Sequence, residues 1–88
     1  MIGKVPVPTT QMKIKILTFA QTRTQLGFVE KEFDCEPHET SREIFRRLAP
    51  QFDPGKFIRI AVDQTYVDWD IPVGNAKELA LIPPVSGG

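Results

Sequence analysis

The chain has 88 residues, 41% hydrophobic and 25% charged, which is the composition of one ordinary soluble globular domain. Eleven lysines and arginines balance eleven aspartates and glutamates, so the basic surplus of a nucleic-acid-binding domain is absent. The longest uncharged run, 79–88, has ten residues, whereas a transmembrane helix needs roughly 20 apolar residues. A single cysteine, Cys35, and an N-terminus without a secretory signal pattern are compatible with a reducing cytosol, so we expect a cytoplasmic protein.

The first predicted element is a strand over 12–20, preceded by a flexible leader over 1–11 that contains prolines and threonines but no periodicity. Two isoleucines alternate with two lysines at the start of this strand. Leu17 and Phe19 share the parity of the lysines, so a regular strand places them on the opposite face from the isoleucines. Either a bulge or a strand end re-aims these two side chains, or they form an exposed apolar patch for a partner.

The next segments predict a hairpin followed by a helix. A polar connection over 21–27 leads to a second strand over 28–35, which has acidic residues on one face and apolar residues on the other. A capping box then begins the helix, because the Thr40 hydroxyl can accept from the N–H of Glu43 while the Glu43 carboxylate reaches back. Apolar residues follow at helical spacing, and Pro50 ends the helix.

The remaining residues predict three more strands and the fold class. The segments are a strand over 57–62, a turn at 63–64, a short strand at 66–67, an irregular stretch over 68–77 and a last strand over 78–82. A hairpin, a helix across it and later strands returning to one mixed sheet make an α+β domain. Small ubiquitin-like, or β-grasp, domains have this layout. We therefore predict a β-grasp domain over 12–82 and an extended tail over 83–88.

No catalytic constellation is evident in the sequence. Cys35 and His38 are close, but no third orienting group accompanies them, and the parity of Cys35 favours a core position. We expect His38 to be solvated, and Asp68 and Asp70 to form an exposed acidic surface rather than an acid–base pair. Zinc-ligand spacing and a phosphate-binding glycine loop are both absent from the sequence, so no metal and no permanently bound cofactor is expected.

The tail has a composition suited to acyl transfer. Prolines 83 and 84 stiffen an extended segment as it leaves the sheet. Gly87 and Gly88 have no Cβ and can enter a narrow slot. A carboxylate is a poor electrophile until it is activated, so an unhindered carboxylate on Gly88 makes sense if an ATP-using enzyme adenylates it.

The sequence resembles the small, sulfur-carrier subunit of molybdopterin synthase, the MoaD family, over 12–88. Three blocks carry this resemblance, namely 17–23 with the Phe-Ala-Gln turn, 61–67 with Ala-Val-Asp-Gln, and 81–88 with Pro-Pro-Val-Ser-Gly-Gly. Asp63 stands where the family commonly has Asn, and residues 75–78, Asn-Ala-Lys-Glu, replace a common Asp-Gly-Asp-Glu turn. The departures affect local loop contacts but not the tail.

The resemblance implies a cycle. An activating enzyme related to ubiquitin-activating enzymes adenylates Gly88 with ATP, and a sulfur donor converts the adenylate to a thiocarboxylate. The tail then enters the large subunit of molybdopterin synthase and gives its sulfur to cyclic pyranopterin monophosphate. Two small and two large subunits form a heterotetramer, so the chain is enzymatic only within that complex.

The resemblance also implies the site residues. Gly87 and Gly88 carry the acyl chemistry, and one surface serves the activating enzyme and the large subunit in turn. The candidate partner contacts are Leu17, Phe19, Arg23, Leu81, Ile82, Pro83, Pro84, Val85 and Ser86. Arg23 is equally compatible with an ordinary exposed arginine, and alternation allows one of Leu81 and Ile82 to join the surface. Alternative functions are a sulfur carrier for thiamine or tRNA thiolation, a protein modifier joined to lysines, and a plain interaction module.

Overall fold

The computed structural model describes residues 11–53 and 58–83. Most of the predicted leader, the residues 54–57 and the tail from Pro84 to Gly88 lie outside the described residues. The described elements are β1 Met12–Thr18, α1 Gln21–Leu26, β2 Glu30–Cys35, α2 Ser41–Leu48, β3 Arg59–Val62, β4 Thr65–Val67 and β5 Glu78–Ile82.

The five strands form one mixed sheet in the order β2-β1-β5-β3-β4. β1 and β5 are parallel neighbours at its centre, and the other three pairs are antiparallel. α2 follows the β1–β2 hairpin and packs across one face of the sheet. The α+β, ubiquitin-like β-grasp architecture predicted from the order of elements is confirmed.

The core lies between α2 and the inner face of the sheet. Ile44 and Phe45 of α2 are buried against residues that alternate inward from the three central strands. These sheet residues are Ile14, Ile16, Ile60, Leu79 and Leu81. Each is at most 1% exposed, so they bury almost their full apolar area, and such burial contributes about 1.5–3 kcal/mol per large side chain. Cys35 joins this core at the end of β2, as its parity predicted.

β1 is a regular strand with no bulge. Its register with β2 runs through six consecutive residue pairs, from Met12 opposite Cys35 to Leu17 opposite Glu30. Leu17 therefore lies on the face opposite the buried isoleucines, where it is half-buried. No bulge re-aims Leu17, whereas Phe19 lies beyond the end of the strand. β1 ends at Thr18, two residues earlier than predicted, because the Phe19 N–H donates to the Thr22 hydroxyl instead of to a strand.

The predicted polar connection over 21–27 is wrong in one respect, since it contains the helix α1. Gly27 ends this helix in the left-handed conformation at φ 84°, and its N–H donates to the Arg23 carbonyl oxygen. Ala20 precedes α1 at φ 48° and ψ −116°, a conformation that an L-residue adopts at a steric cost. Leu26 is the only large apolar residue in α1, so no apolar periodicity reveals this helix.

The capping box at the start of α2 is confirmed. The Thr40 hydroxyl accepts from the Glu43 N–H at 3.1 Å, and the Glu43 carboxylate accepts from the Thr40 N–H at 2.9 Å. The predicted turn between β3 and β4 is also present, with positive φ at both Asp63 and Gln64, as in a type I′ hairpin turn. The Asp63 carboxylate accepts from the N–H groups of residues 77 and 78, which fixes this turn against the start of β5.

Candidate functional site

The sheet face opposite α2 carries an apolar surface, which we call the outer face. The strand register places Leu17, Ala80, Ala61 and Tyr66 in one row across β1, β5, β3 and β4. Phe19 and Ile82 extend this row toward the end of the sheet where β5 leads into the tail. Together these six residues line a shallow groove of about 490 Å³, with Gln64 and Glu78 at its margin.

Exposure divides the outer face into a floor and a rim. Ala61 and Ala80 are nearly buried and form the floor, while Leu17 and Ile82 are half-buried. Phe19 is 42% exposed and Tyr66 is 60% exposed, so two aromatic rings project at the rim. An aromatic pair around a small-residue floor suits a partner side chain entering the groove.

The two neighbouring candidates on β5 separate clearly. Leu81 is fully buried in the core, so its side chain is not available to a partner while the domain is folded. Ile82 lies opposite Arg59 and lines the outer-face groove. The alternation of the strand thus places Ile82 on the outer face. The predicted partner contact of the Leu81 side chain is corrected, because this side chain is buried in the core.

Residues 81–83, which we call the tail base, are tied to α1. The Thr22 hydroxyl is buried and donates to the Leu81 carbonyl oxygen at 2.9 Å. It also accepts from the N–H of Phe19 at 2.9 Å. Pro83 follows β5 and is half-buried. One threonine therefore fixes both the strand that leads into the tail and the aromatic residue at the rim of the outer face.

Arg23 lies on the exposed side of α1, at the same end of the sheet. Its Nη2 donates to the Thr18 carbonyl oxygen at 3.1 Å, which satisfies an acceptor at the end of β1. Pro84, Val85, Ser86, Gly87 and Gly88 lie outside the described residues.

Sequence reasoning missed two residues of the outer face, Tyr66 and Arg59. The Arg59 guanidinium lies over the Tyr66 ring, with its central carbon 5.1 Å from the ring centroid. This distance is typical of a cation–π contact. The parity of Arg59 correctly indicated a face away from the core, but only the strand order shows that this face is shared with Leu17.

The β1–β2 side of the outer face is charged. Lys13 pairs with Asp34 at 2.9 Å, and Lys15 lies 3.9 Å from Glu30. Hydrogen bonding to Asp34 raises the pKa of Lys13 above its ordinary value. All four side chains are largely exposed, so these pairs add little stability and chiefly form a polar border beside the apolar groove.

The candidate catalytic residues Cys35, His38, Asp68 and Asp70 do not line the outer-face groove. Burial raises the pKa of the Cys35 thiol, and Glu39 acts in the same direction, so this thiol is an unreactive core group. The His38 side chain is 73% exposed. Asp70 pairs with Arg42 at 2.8 Å, and this hydrogen bond lowers the pKa of the Asp70 carboxyl.

The described residues hold no cluster of three or more His, Cys, Asp or Glu side chains that could ligate a metal ion. Over the ranges 11–53 and 58–83, no helix is long and apolar enough to cross a membrane.

Solved structures with the same fold come from several organisms. Small archaeal modifier protein 1 from Haloferax volcanii matches with a TM-score of 0.69 at 19% identity, over 83% of this chain and 98% of that one. A chain in the complex of subunits 1 and 2 of the molybdopterin-converting factor from Helicobacter pylori matches with a TM-score of 0.53 at 21% identity, over 88% and 100%. The fold and its apolar outer face thus define a ubiquitin-like β-grasp protein.

Sequence comparison goes further than the fold. The molybdopterin synthase sulfur carrier subunit of Escherichia coli is 35% identical over 82 residues, covering 85% of this chain and 99% of the relative. The subunit of the same name from Dictyostelium discoideum is 35% identical over 86 residues, covering 86% and 96%. The ThiS family model matches residues 16–88. The chain belongs to the ThiS family, and within it to the molybdopterin synthase sulfur-carrier subunits that its sequence resembles.

Proposed function

We propose that this chain is the sulfur-carrier subunit of a molybdopterin synthase and that Gly88 carries the sulfur as a thiocarboxylate. The observation that carries this proposal is the continuity of the outer face with the tail base. Ile82 lines the groove, and Pro83 is the next residue along the chain. A partner that covers the outer face is therefore placed to receive the segment that follows.

The proposed chemistry begins with activation of the carboxylate. An oxygen of the Gly88 carboxylate attacks the α-phosphorus of ATP in the activating enzyme, and pyrophosphate leaves. A sulfur donor then supplies a nucleophilic sulfur to the acyl carbon, and AMP leaves with the electron pair of the cleaved C–O bond. Where the donor is a persulfide, a thiol cleaves the remaining S–S bond and is itself oxidised to a disulfide. The product is a thiocarboxylate, which is a better nucleophile than the original carboxylate.

The second half of the proposed cycle takes place in the large subunit. The thiocarboxylate sulfur attacks a side-chain carbon of cyclic pyranopterin monophosphate, and the bond from that carbon to oxygen breaks. Water then cleaves the acyl C–S bond, which returns Gly88 to a carboxylate and leaves the sulfur on the pterin, so two loaded carriers supply the two sulfurs of one dithiolene. A buried slot protects the activated intermediates from water. The uncharged sequence of 79–88 suits such a slot because no charged side chain has to be desolvated there. A heterotetramer of two small and two large subunits is part of this proposal.

The outer face also supports successive binding of two enzymes. We expect the activating enzyme and the large subunit to use the same groove around Phe19 and Ile82, because both must receive the segment that follows Pro83. Two partners that share one groove cannot bind together. The carrier would then have to leave the activating enzyme before it delivers sulfur.

Reconstitution tests this function. The chain is incubated with its activating enzyme, ATP and a sulfur donor, and intact mass measures the replacement of one oxygen by sulfur at Gly88. The large subunit and cyclic pyranopterin monophosphate are then added, and molybdopterin is assayed. A chain lacking Gly88 is the matched control, since it keeps every residue of the outer face and should bind the large subunit without forming product.

The outcomes distinguish the alternatives. Loading followed by molybdopterin formation, both lost without Gly88, supports the proposal. Loading without product would overturn the assignment to molybdopterin synthase and favour a carrier for thiamine or tRNA thiolation. Covalent attachment to lysines of other proteins would identify a modifier, and absence of loading would leave a plain interaction module.

A further inference from the structure

We propose that Arg59 is a specificity-determining contact of the outer face, and that the large subunit covering this face presents a carboxylate side chain to it. The inference rests on the proposed function, because it names the chemistry of the partner at that same surface. Arg59 belongs neither to the tail motif nor to the apolar residues of the outer face.

The position of Arg59 follows from the strand register. Arg59 begins β3 and lies directly opposite Ile82 of β5. Directly paired residues of neighbouring strands project on the same face of a sheet, so Arg59 stands on the outer face beside the tail base. A partner that contacts Ile82 and receives the segment after Pro83 must also meet this guanidinium.

The conformation of Arg59 is held in advance by Tyr66. The guanidinium lies 5.1 Å from the centre of the ring, on the exposed rim of the groove. Stacking occupies one flat side of the guanidinium and leaves its in-plane N–H donors available. Because the side chain is already placed, less rotamer entropy is lost when a carboxylate binds than for a free arginine.

The charge of Arg59 is not neutralised within the described part of the chain. Arg42 pairs with Asp70, Arg47 pairs with Glu39, and Arg23 bonds a carbonyl oxygen. No described carboxylate lies within ion-pair distance of Arg59, although Asp68 lines the neighbouring groove. Covering this guanidinium with an apolar or basic surface would remove its water without compensation, whereas a carboxylate would satisfy it.

The opposite end of the groove carries paired charges of both signs. Glu78 lies four residues before Ile82 on β5, and its side chain is at the groove margin. Four strand residues span about 13 Å. Lys15 lies directly opposite Glu78 on β1 and 3.9 Å from Glu30, so that end carries charges of both signs. Beside the tail base, Arg59 stands without a described carboxylate partner, which favours a partner that presents a carboxylate there.

The experiment measures the affinity of the large subunit for the full chain by calorimetry, at low and at high salt. Arg59→Gln is expected to raise Kd about tenfold near 0.1 M salt, and the difference should shrink to below about threefold at 0.5 M salt. Arg59→Lys should fall between the two, since it keeps the charge but loses the planar donor arrangement. Arg46→Gln is the matched control, because Arg46 is an exposed arginine on α2, on the other side of the sheet.

The expected result also includes unchanged thermal stability for Arg59→Gln and a Kd within about twofold of the unmodified chain for Arg46→Gln. A second measurement combines Arg59→Glu with single replacements of surface carboxylates of the large subunit by lysine, and one such pair should restore affinity. The inference is overturned if Arg59→Gln binds within about twofold of the unmodified chain. A loss of affinity of equal size at both salt concentrations would also overturn it, as would a loss of affinity for the activating enzyme alone. Failure of the unmodified chain to bind the large subunit would instead overturn the proposed function.

Discussion

The hydroxyl of Thr22 joins two segments that are 59 residues apart, because it donates to the Leu81 carbonyl oxygen at 2.9 Å. The same oxygen accepts from the Phe19 N–H. α1 is therefore attached to the last strand immediately before the tail and to the aromatic rim of the outer face. Any change at this hydroxyl acts on the strand end and the rim together.

Replacing Thr22 with valine keeps the side-chain volume but removes these hydrogen bonds. Two backbone groups lose their partner, the Leu81 carbonyl at a buried site and the Phe19 N–H at a partly buried one. We expect the free energy of unfolding, measured by urea denaturation, to fall by about 1–3 kcal/mol. Thr24→Val is the matched control on the exposed side of α1 and should change it by less than about 0.5 kcal/mol. Equal effects of the two changes would contradict this account.

α1 was not predicted from the sequence because the Thr22 hydroxyl bonds to a residue 59 positions away. Residues 21–26 show no apolar periodicity, and helices of this length are marginal on their own propensity. What stabilises the helix is a tertiary hydrogen bond to Leu81, which no local pattern reveals. By contrast, the capping box at Thr40 and the turn at Asp63 depend on nearby residues, and both were predictable.

The outer face was predictable only in part for a related reason. The parity of Leu17 within β1 already indicated a position away from the core. The neighbours of Leu17 depend on which strands pair. The parallel pairing of β1 with β5 places Ala80 opposite Leu17, and Ile82 lies on the same face two residues farther along β5. Arg59 and Tyr66 enter through strands farther still along the sheet, so their place beside the tail base required the three-dimensional structure.

Leu81 and Ile82 give a direct test of the strand alternation on β5. Leu81→Ala should lower the free energy of unfolding by about 2–5 kcal/mol, because it leaves a cavity in a fully buried site. Ile82→Ala should have a smaller effect on stability and a larger one on affinity for the large subunit. Urea denaturation and calorimetric titration of the same two variants would check both halves of this prediction. A greater loss of stability in Ile82→Ala would contradict the assigned faces.

The reactivity of Cys35 reports on the integrity of the core. Burial raises the pKa of this thiol, so the folded protein keeps it neutral over a wider pH range than the unfolded chain does. The resulting stabilisation is present below the ordinary thiol pKa of about 8.5, and it is lost as the pH rises through the higher pKa of the folded state. Iodoacetamide should therefore label the native protein at pH 8 at least about 100-fold more slowly than the urea-unfolded chain. Rapid labelling of the native protein would show that this part of the core opens readily.

Phe19 provides the test of a shared docking surface. Its ring is 42% exposed at the rim of the groove, so Phe19→Ala should change the free energy of unfolding by less than about 1 kcal/mol. We expect the same variant to raise Kd about 10-fold to 100-fold for both the activating enzyme and the large subunit, because an exposed aromatic residue beside a groove is a typical hot spot. Ile71→Ala is the control, since Ile71 is 48% exposed and does not line the outer-face groove. The two partners should compete completely for the unmodified chain. A ternary complex of the chain with both enzymes would show that they use separate surfaces. Full-strength binding of Phe19→Ala to either enzyme would lead to the same conclusion.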